Sequence, residues 1–196
     1  MAVRFSAVRS VFVRAFGLFN LALLLNGCVL LRPQTPPTPP LLSPAALGAA
    51  HVASQSLNIA FGTDDLSLQC ALQASAEGIT LIAVGPLGQR ALTLNYDGNV
   101  LHADKGPYVP SAFPPEQVLS DLQLVLWPNA AWQQRLVGSE WQMAEPRPGL
   151  RRLRYRGRLV AEVHYADAAT GDPWNRRAWL SNLAYGYTLD ISTLSQ

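Results

Sequence analysis

Charged residues are scarce in this chain, and their scarcity limits what the protein can be. Asp, Glu, Lys and Arg together make up 14% of the 196 residues, whereas about 25% is usual in a soluble domain. A chain with so little charge must bury, or hold ready to bury, a large apolar surface. Basic and acidic residues nearly balance, at 15 against 13, so the sequence does not favour a nucleic-acid partner.

Residues suited to catalysis or metal binding are equally sparse. The three histidines, His51, His102 and His164, lie in separate segments without metal-ligand spacing. The sequence has no Gly-x-Ser-x-Gly motif, no phosphate loop and no carboxylate pair at a suggestive spacing. Since no base can be matched with a nucleophile, the sequence favours a protein that is not an enzyme and predicts neither a metal nor a cofactor.

The N-terminal segment has the layout of a bacterial lipoprotein signal. Three arginines precede an apolar run from Ala15 to Leu25, which is too short for the roughly 20 residues of a membrane-spanning helix. Small Gly27 precedes Cys28, so residues 1–27 are the predicted signal peptide and Cys28 is the predicted lipidation site. Val29 replaces the Asp of an inner-membrane retention signal, which favours the outer membrane, facing the periplasm. The alternative is an ordinary secretory signal with a cysteine nearby by chance.

Six prolines fall within residues 28–50, which favours extended polyproline II backbone. We predict that this segment is a tether and that residues 51–196 form a single domain. A proline-motif ligand for a dedicated partner is the alternative for this segment.

Cysteine is nearly absent beyond the lipidation site. Cys70 has no predicted disulfide partner, and it shares the apolar alternation of Leu66, Leu68 and Leu72. A buried thiol on a strand is the prediction, in preference to a nucleophile.

Beyond the tether the pattern is mainly an alternation of period two, interrupted by two segments with helical spacing. Helices are predicted from Pro115 to Pro128 and from Asn129 to Val137. Asp97-Gly98 predicts a tight hairpin turn with positive φ at both central positions. Strands followed by a helical pair and then strands exclude a doubly wound fold and indicate a curved antiparallel sheet crossed by helices. The predicted strands are Ser56–Phe61, Leu66–Gln73, Gly78–Val84, Ala91–Tyr96, Asn99–Ala103, Trp141–Ala144, Leu150–Arg156, Leu159–Tyr165, Trp179–Leu183 and Tyr185–Leu194.

These segments, in this order, resemble the outer-membrane receptor of the lipoprotein localisation pathway (LolB). The resemblance rests on Gly85-Pro86-Leu87-Gly88, on the helix from Pro115 to Pro128 and on Trp132–Gly138. The chain is more similar still to a subfamily of lipoproteins of unknown function associated with aryl-polyene biosynthesis clusters. Residues 182–187 are among those that it shares with this subfamily. The resemblance implies an unclosed half-barrel with a short helical lid and an acyl-binding cavity.

The loop around Leu87 is a predicted membrane contact. In the LolB family the matching loop carries a protruding leucine that enters the membrane, and the resemblance places Pro86, Leu87 and Gly88 there. Burying one leucine in lipid contributes about 1.5–3 kcal/mol, enough for a transient contact. The alternative is a tight turn with Leu87 folded inward.

The cavity implied by the resemblance would be lined by apolar strand faces and by the helical pair. A closed core would have the same residues, because a filled core and a lined pocket have the same apolar sequence pattern. The predicted lining residues are Leu66, Leu68, Leu92, Leu94, Leu122, Leu126, Trp127 and Trp132.

Five arginines fall between Arg151 and Arg158. If residues 156–158 form a three-residue turn, Arg152 and Arg154 face outward and Glu162 lies across from Arg152. A solvated hairpin face is one interpretation, and attraction to phosphate headgroups or an anionic partner is the other.

Together these features predict a monomeric outer-membrane lipoprotein that binds acyl or polyene chains of lipids or lipoproteins and passes them to the membrane. Its expected partners are outer-membrane lipid, through the Cys28 anchor, the acyl chains themselves and a periplasmic carrier protein. The alternative is a non-enzymatic accessory that holds a biosynthetic or export complex at the outer membrane. A hydrolase or acyltransferase is a third class, which would need a polar constellation inside the cavity.

Overall fold

Ten antiparallel strands form one sheet in this computed structural model, which describes residues 35–107, 109, 113–166 and 172–195. Residues 194 and 195 are described by their backbone alone. The predicted signal peptide and Cys28, the predicted lipidation site, lie outside the described residues. Among the described helices, none has the length and apolar character needed to cross a membrane. The strands are β1 (His51–Phe61), β2 (Asp64–Ala74), β3 (Ile79–Val84), β4 (Arg90–Tyr96), β5 (Leu101–Lys105), β6 (Trp141–Arg147), β7 (Leu150–Tyr155), β8 (Arg158–Tyr165), β9 (Ala178–Asn182) and β10 (Tyr187–Ser195).

The sheet is open and lies in the order β5-β4-β3-β2-β1-β10-β9-β8-β7-β6. Strands β5 and β6 are its two edges, and no pairing between them closes a barrel within the described residues. The two meanders meet where β1 pairs with β10 along residues 53–61. The predicted curved, unclosed antiparallel sheet with two short helices is therefore confirmed.

Period-two alternation sets which side chains face inward, because successive residues of a strand point to opposite faces. On β2 the even-numbered residues from Leu68 to Ala74 are buried, and their odd-numbered neighbours are exposed. Cys70 belongs to the buried set, at 3% exposure, so its predicted burial is confirmed. The apolar alternation therefore identified the inner face of this strand correctly.

Two turn predictions were wrong in detail. At the β4–β5 hairpin only Gly98 has positive φ, because the Asp97 carboxylate accepts hydrogen bonds from the amides of Asn99 and Val100 at 2.8 and 2.7 Å and stabilises a longer turn. The turn with positive φ at both central residues lies at Arg156-Gly157. Tyr155 pairs directly with Arg158, so that turn has two residues rather than the three predicted.

The two predicted helices are present as α1 (Pro115–Leu126) and α2 (Asn129–Arg135). Proline occupies the first position of α1, where an amide has no helical partner. Nine of the twelve residues of α1 are buried, so this helix lies inside the protein rather than on its surface.

Arg151 satisfies the buried C-terminal end of α1. Its Nη1 donates to the carbonyl oxygens of Leu124, Val125 and Trp127 at 2.9, 3.2 and 2.8 Å, and the residue is 7% exposed. A cation at this position also interacts favourably with the negative end of the helix dipole. The first arginine of the sequence run is therefore a structural group.

Part of the expected tether is docked on the domain. Leu42 is 1% exposed, and the Gln123 side chain both accepts from its amide and donates to its carbonyl, each at 2.8 Å. Trp127 donates to the Ser43 carbonyl, and Arg135 donates to that of Leu41. A short 3-10 turn, Pro44–Leu47, follows. The predicted tether over 28–50 therefore needs correction: these contacts hold its part from Leu41 to Leu47, which composition alone could not reveal.

Substitution Gln123→Met is expected to release this docked segment. It removes two buried hydrogen bonds and leaves a backbone amide and a carbonyl unpaired, a loss of about 2–4 kcal/mol. Hydrogen–deuterium exchange across residues 41–47 should rise at least tenfold, whereas Gln133→Met, at an exposed position of α2, should leave it unchanged. Equal protection in both variants would contradict the assigned role of Gln123.

Candidate functional site

An apolar cavity of about 80 Å³ lies between the inner face of the sheet and α1. Strands β1 to β4 and β10 supply one wall, α1 supplies the other, and Val109 and Phe113 contribute from the connection before the helix. Apart from Gln55 and Asp121, the lining side chains are aliphatic, aromatic or a thiol. The strand and helix residues that line it are Gln55, Leu57, Ile59, Leu66, Leu68, Cys70, Leu81, Ala83, Ala91, Leu92, Val118, Asp121, Leu122, Tyr187, Leu189 and Ile191.

The exposure of the lining residues distinguishes a closed end from an open end. Gln55, Cys70 and Ala83 lie side by side on neighbouring strands and are all at most 3% exposed. Ile59 and Leu66, which pair with each other further along the same strands, are half-buried. The cavity is therefore closed on the side of Gln55, Cys70 and Ala83 and more open beside Ile59 and Leu66.

The structure brings together four of the eight predicted lining residues. Leu66, Leu68, Leu92 and Leu122 line the cavity. The other four, Leu94, Leu126, Trp127 and Trp132, are fully buried at 0–1% exposure but are not among its walls. Leu94, Leu126 and Trp127 lie on, or directly after, an element that also supplies cavity residues, whereas Trp132 lies on α2, which supplies none. The sequence pattern predicts that these side chains face inward, but not which residues lie opposite them.

Trp127 and Trp132, two of the predicted lining residues, hold other contacts instead of lining the cavity. Trp132 donates from Nε1 to the Gln123 carbonyl at 3.1 Å, and Trp127 donates to the docked Ser43. Trp127 also packs against Trp174, with ring centroids 6.4 Å apart. Both indoles therefore hold α1, α2 and the docked segment together. The surface that covers the cavity is instead the part of α1 that carries Val118 and Leu122.

A buried polar cluster borders the cavity where α1 meets β9 and β10. Asp121 accepts hydrogen bonds from the Tyr187 hydroxyl, from Gln117 at 2.9 Å and from Asn182 at 3.3 Å to each oxygen. Asn182 also donates to Tyr187 and accepts from the Tyr185 amide. Sequence reasoning missed this cluster, although an aspartate three residues after Val118 and four before Val125 was a visible departure from the apolar helical spacing.

Burial dominates the titration of this cluster. Desolvation raises the pKa of Asp121 to about 6, against the opposing effect of the three donors around it. Burial, with the neighbouring Asp121, also raises the pKa of Tyr187. Burial raises the pKa of the Cys70 thiol to about 12, so this cysteine has little thiolate character and is a poor nucleophile.

The loop between β3 and β4 carries Leu87 at its tip. Leu87 is 91% exposed, and Pro86 and Gly88 beside it are also exposed. The loop is closed by hydrogen bonds from the Gly85 amide to the Gln89 carbonyl and from the Gly88 amide to the Gly85 carbonyl. The Gln89 side chain also accepts from the Leu87 amide at 3.0 Å. The backbone is thus held while the leucine side chain points away from the domain.

Internal partners account for most of the arginine run. The predicted pair is confirmed, because Arg152 lies across from Glu162 and contacts it at 2.6 Å. Arg156 contacts Glu140 at 2.5 Å, and Arg154 donates to the Gly157 carbonyl. With Arg151 buried at α1, these contacts favour a solvated hairpin face over a headgroup site.

Histidine and acidic side chains do not gather into a candidate metal site. In the parts of the chain that the structure describes, no group of three or more His, Cys, Asp or Glu residues could hold a metal ion. His164 contacts Glu162 at 2.5 Å, and His51 stacks on Trp174 with ring centroids 4.3 Å apart. His164 is thus paired with a carboxylate, and His51 is packed against an indole ring.

The buried aspartate predicts a specific pH dependence of stability. An acid whose pKa rises from 3.8 unfolded to about 6 folded stabilises the fold below pH 4, and this contribution is lost as the pH rises through 6. Between roughly pH 3 and pH 7 the unfolding free energy of the wild type should fall by about 3 kcal/mol more than that of Asp121→Asn. Urea unfolding at a series of pH values measures this difference, and parallel curves would refute it.

Residues 52–195 match the family model described as Protein of unknown function (DUF3261). No protein with a curated function matches the chain. Among solved structures, the chain is similar to a domain from Vibrio parahaemolyticus named as an outer membrane lipoprotein-sorting protein domain, with 11% identity and a TM-score of 0.43. The match covers 78% of this chain and 88% of that one. Similarity at this level bears on neither ligand nor function.

Proposed function

The chain belongs to this family of unknown function, and we propose that it binds acyl or polyene chains of lipids or lipoproteins in its apolar cavity and passes them to a membrane. The observation that carries the proposal is the cavity itself, whose walls are almost wholly apolar and grade from a closed end to an open one. Each methylene group moved from water into such a site contributes about 0.8 kcal/mol. The mechanism is passive, so direction comes from differences in affinity between partners.

The position of Leu87 supports a role in release. Strand β3 ends at Val84, which pairs with Gln69, and from there β2 extends toward Leu66 at the open end of the cavity. The Leu87 loop therefore lies at the same end of the sheet as the mouth. An exposed leucine beside the mouth can enter the bilayer briefly and bring the two into contact.

The lipidation site inferred from the sequence gives the proposal its place in the cell. Under this proposal Cys28 carries the lipid anchor, Val29 permits sorting to the outer membrane, and the domain faces the periplasm. A periplasmic carrier protein would deliver the chains, and the protein would act as a monomer and without catalysis.

The size of the cavity favours a second candidate. At about 80 Å³ it is smaller than the roughly 150 Å³ cavity that holds one benzene molecule, so a long chain enters only if half-buried residues at the mouth move. A domain that stays closed would act as an interaction accessory, holding a biosynthetic or export complex at the outer membrane. Occupancy of the cavity distinguishes the two functions.

Filling the cavity is expected to weaken chain binding strongly. Ala83 is 2% exposed and lines the closed end, so Ala83→Leu occupies space that a ligand needs. Native mass spectrometry and titration with a fluorescent fatty acid should show at least tenfold weaker binding than in Ala71→Leu, whose site is on the outer face of β2. A wild-type protein that carries and takes up no amphiphile would favour the accessory function instead.

Charge at the loop tip is expected to block transfer without affecting binding. Leu87→Glu should retain the fatty-acid affinity of the wild type, because Leu87 lies outside the cavity, yet deliver the ligand to vesicles at least fivefold more slowly, because a carboxylate resists entry into lipid. Val137→Glu is the matched control, since Val137 is an 81% exposed apolar residue after α2. Equal delivery rates in the two variants would remove Leu87 from the mechanism.

A further inference from the structure

The closed end of the cavity contains one polar side chain that the proposed function does not explain. Gln55 is 2% exposed and lines the cavity beside Cys70 and Ala83. Its Oε1 atom is buried and has no hydrogen-bond partner among the described residues. The other inward residues of β1 along the cavity, Leu57 and Ile59, are apolar.

The amide of Gln55 is held in a defined orientation. Its Nε2 donates to the Oγ1 of Thr193 at 3.1 Å, and Thr193 is the residue directly opposite on β10. The nitrogen end is therefore engaged on the β10 side, and the carbonyl oxygen is the end of the amide left to accept a hydrogen bond. The cross-strand neighbour of Gln55 on β2, Cys70, offers only a weak S–H donor.

A buried carbonyl oxygen without a partner is rare in folded proteins, because it has lost its water and gained nothing in return. An unsubstituted hydrocarbon chain in the cavity would leave this oxygen unpaired. A chain with an O–H group at its buried end would satisfy it and would keep the rest of its length against apolar walls.

The second polar lining residue does not offer the same opportunity. Both carboxylate oxygens of Asp121 already accept hydrogen bonds, from Gln117, Asn182 and Tyr187. Its place on α1 beside β9 and β10 is also distinct from the closed end on β1 to β3. Of these two residues, only Gln55 has an acceptor atom left to bind a polar group of a ligand.

Resting on the proposed function, we infer that the cavity selects chains that carry a hydroxyl group at the end that enters first, and that the Gln55 carbonyl oxygen accepts its hydrogen bond. From Ile59 at the mouth to Gln55 is four residues of strand, about 13 Å. A medium-length fatty acid spans this depth with its carboxylate still at the mouth. The ligand class is an amphiphile that is polar at both ends.

Three probes built on the same fatty-acid chain test this inference: dodecanoic acid, its terminal hydroxyl derivative and its terminal methoxy derivative. Displacement of a fluorescent fatty acid from the protein measures each affinity. We expect the hydroxyl derivative to bind about fivefold to tenfold more tightly than dodecanoic acid, the ratio that one buried hydrogen bond provides. The methoxy derivative, which accepts but cannot donate, should gain nothing.

Gln55→Met keeps the approximate shape of the side chain and removes the acceptor. In this variant the preference for the hydroxyl derivative should disappear while dodecanoic acid still binds. Gln69→Met, on the exposed face of β2, is the matched control and should retain the preference. Should Gln55→Met not fold, the ranking of the three probes by the wild type remains decisive.

The outcomes separate this inference from the function on which it rests. Binding of all three probes with equal affinity would overturn the role of Gln55 and leave a general chain-binding cavity. A gain for the methoxy derivative equal to that for the hydroxyl derivative would also overturn it, since the amide would then present its N–H groups. Binding of none of the three would refute the proposed function itself.

Discussion

Helix α1 is buried on most of its surface, and its position depends on finding partners for polar groups that cannot reach water. Arg151 satisfies the carbonyl oxygens at its C-terminus, Gln123 bonds the backbone of the docked segment, and Asp121 is held by side chains of β9 and β10. Leaving any such group unpaired costs about 1–3 kcal/mol, and more when it is charged. These three contacts fix the helix over the sheet more specifically than apolar packing can, because hydrogen bonds require both distance and direction.

The same polar contacts explain why an apolar space survives beside the helix. They all involve Asp121 or residues beyond it, so the helix is fastened along its second half and at its end. Val118, in the first half, is only half-buried and borders the cavity. A helix held by apolar contacts alone would gain by closing onto the inner face of the sheet, since unfilled space forfeits dispersion contacts. Here the polar contacts resist that closure, and the space remains beside Val118, Asp121 and Leu122.

Local patterns predicted the elements of this fold, whereas contacts between distant elements were not predictable. Strand alternation and helical spacing are properties of short segments, so the order of ten strands and two helices follows from the sequence. The same alternation shows that Leu68 and Leu94 face inward, but only Leu68 has the cavity opposite it. Likewise, the composition around Leu42 indicates extended backbone, but not that Gln123, 81 residues away, binds it. The turn at Asp97 differed because a side chain, rather than backbone preference, determined its shape.

The docked segment shortens the chain between Cys28 and the folded domain. Burial begins at Pro39, eleven residues after Cys28, a stretch that could span at most about 34 Å in extended polyproline II backbone. An extended linker of that length is about as long as β1, whose eleven residues span roughly 36 Å. If Cys28 is lipidated, the domain can turn the Leu87 loop toward the bilayer that holds it but cannot cross to a distant one. A short linker also keeps the effective concentration of the Leu87 loop at the bilayer surface near the millimolar range. Weak and readily reversed membrane contacts are then sufficient.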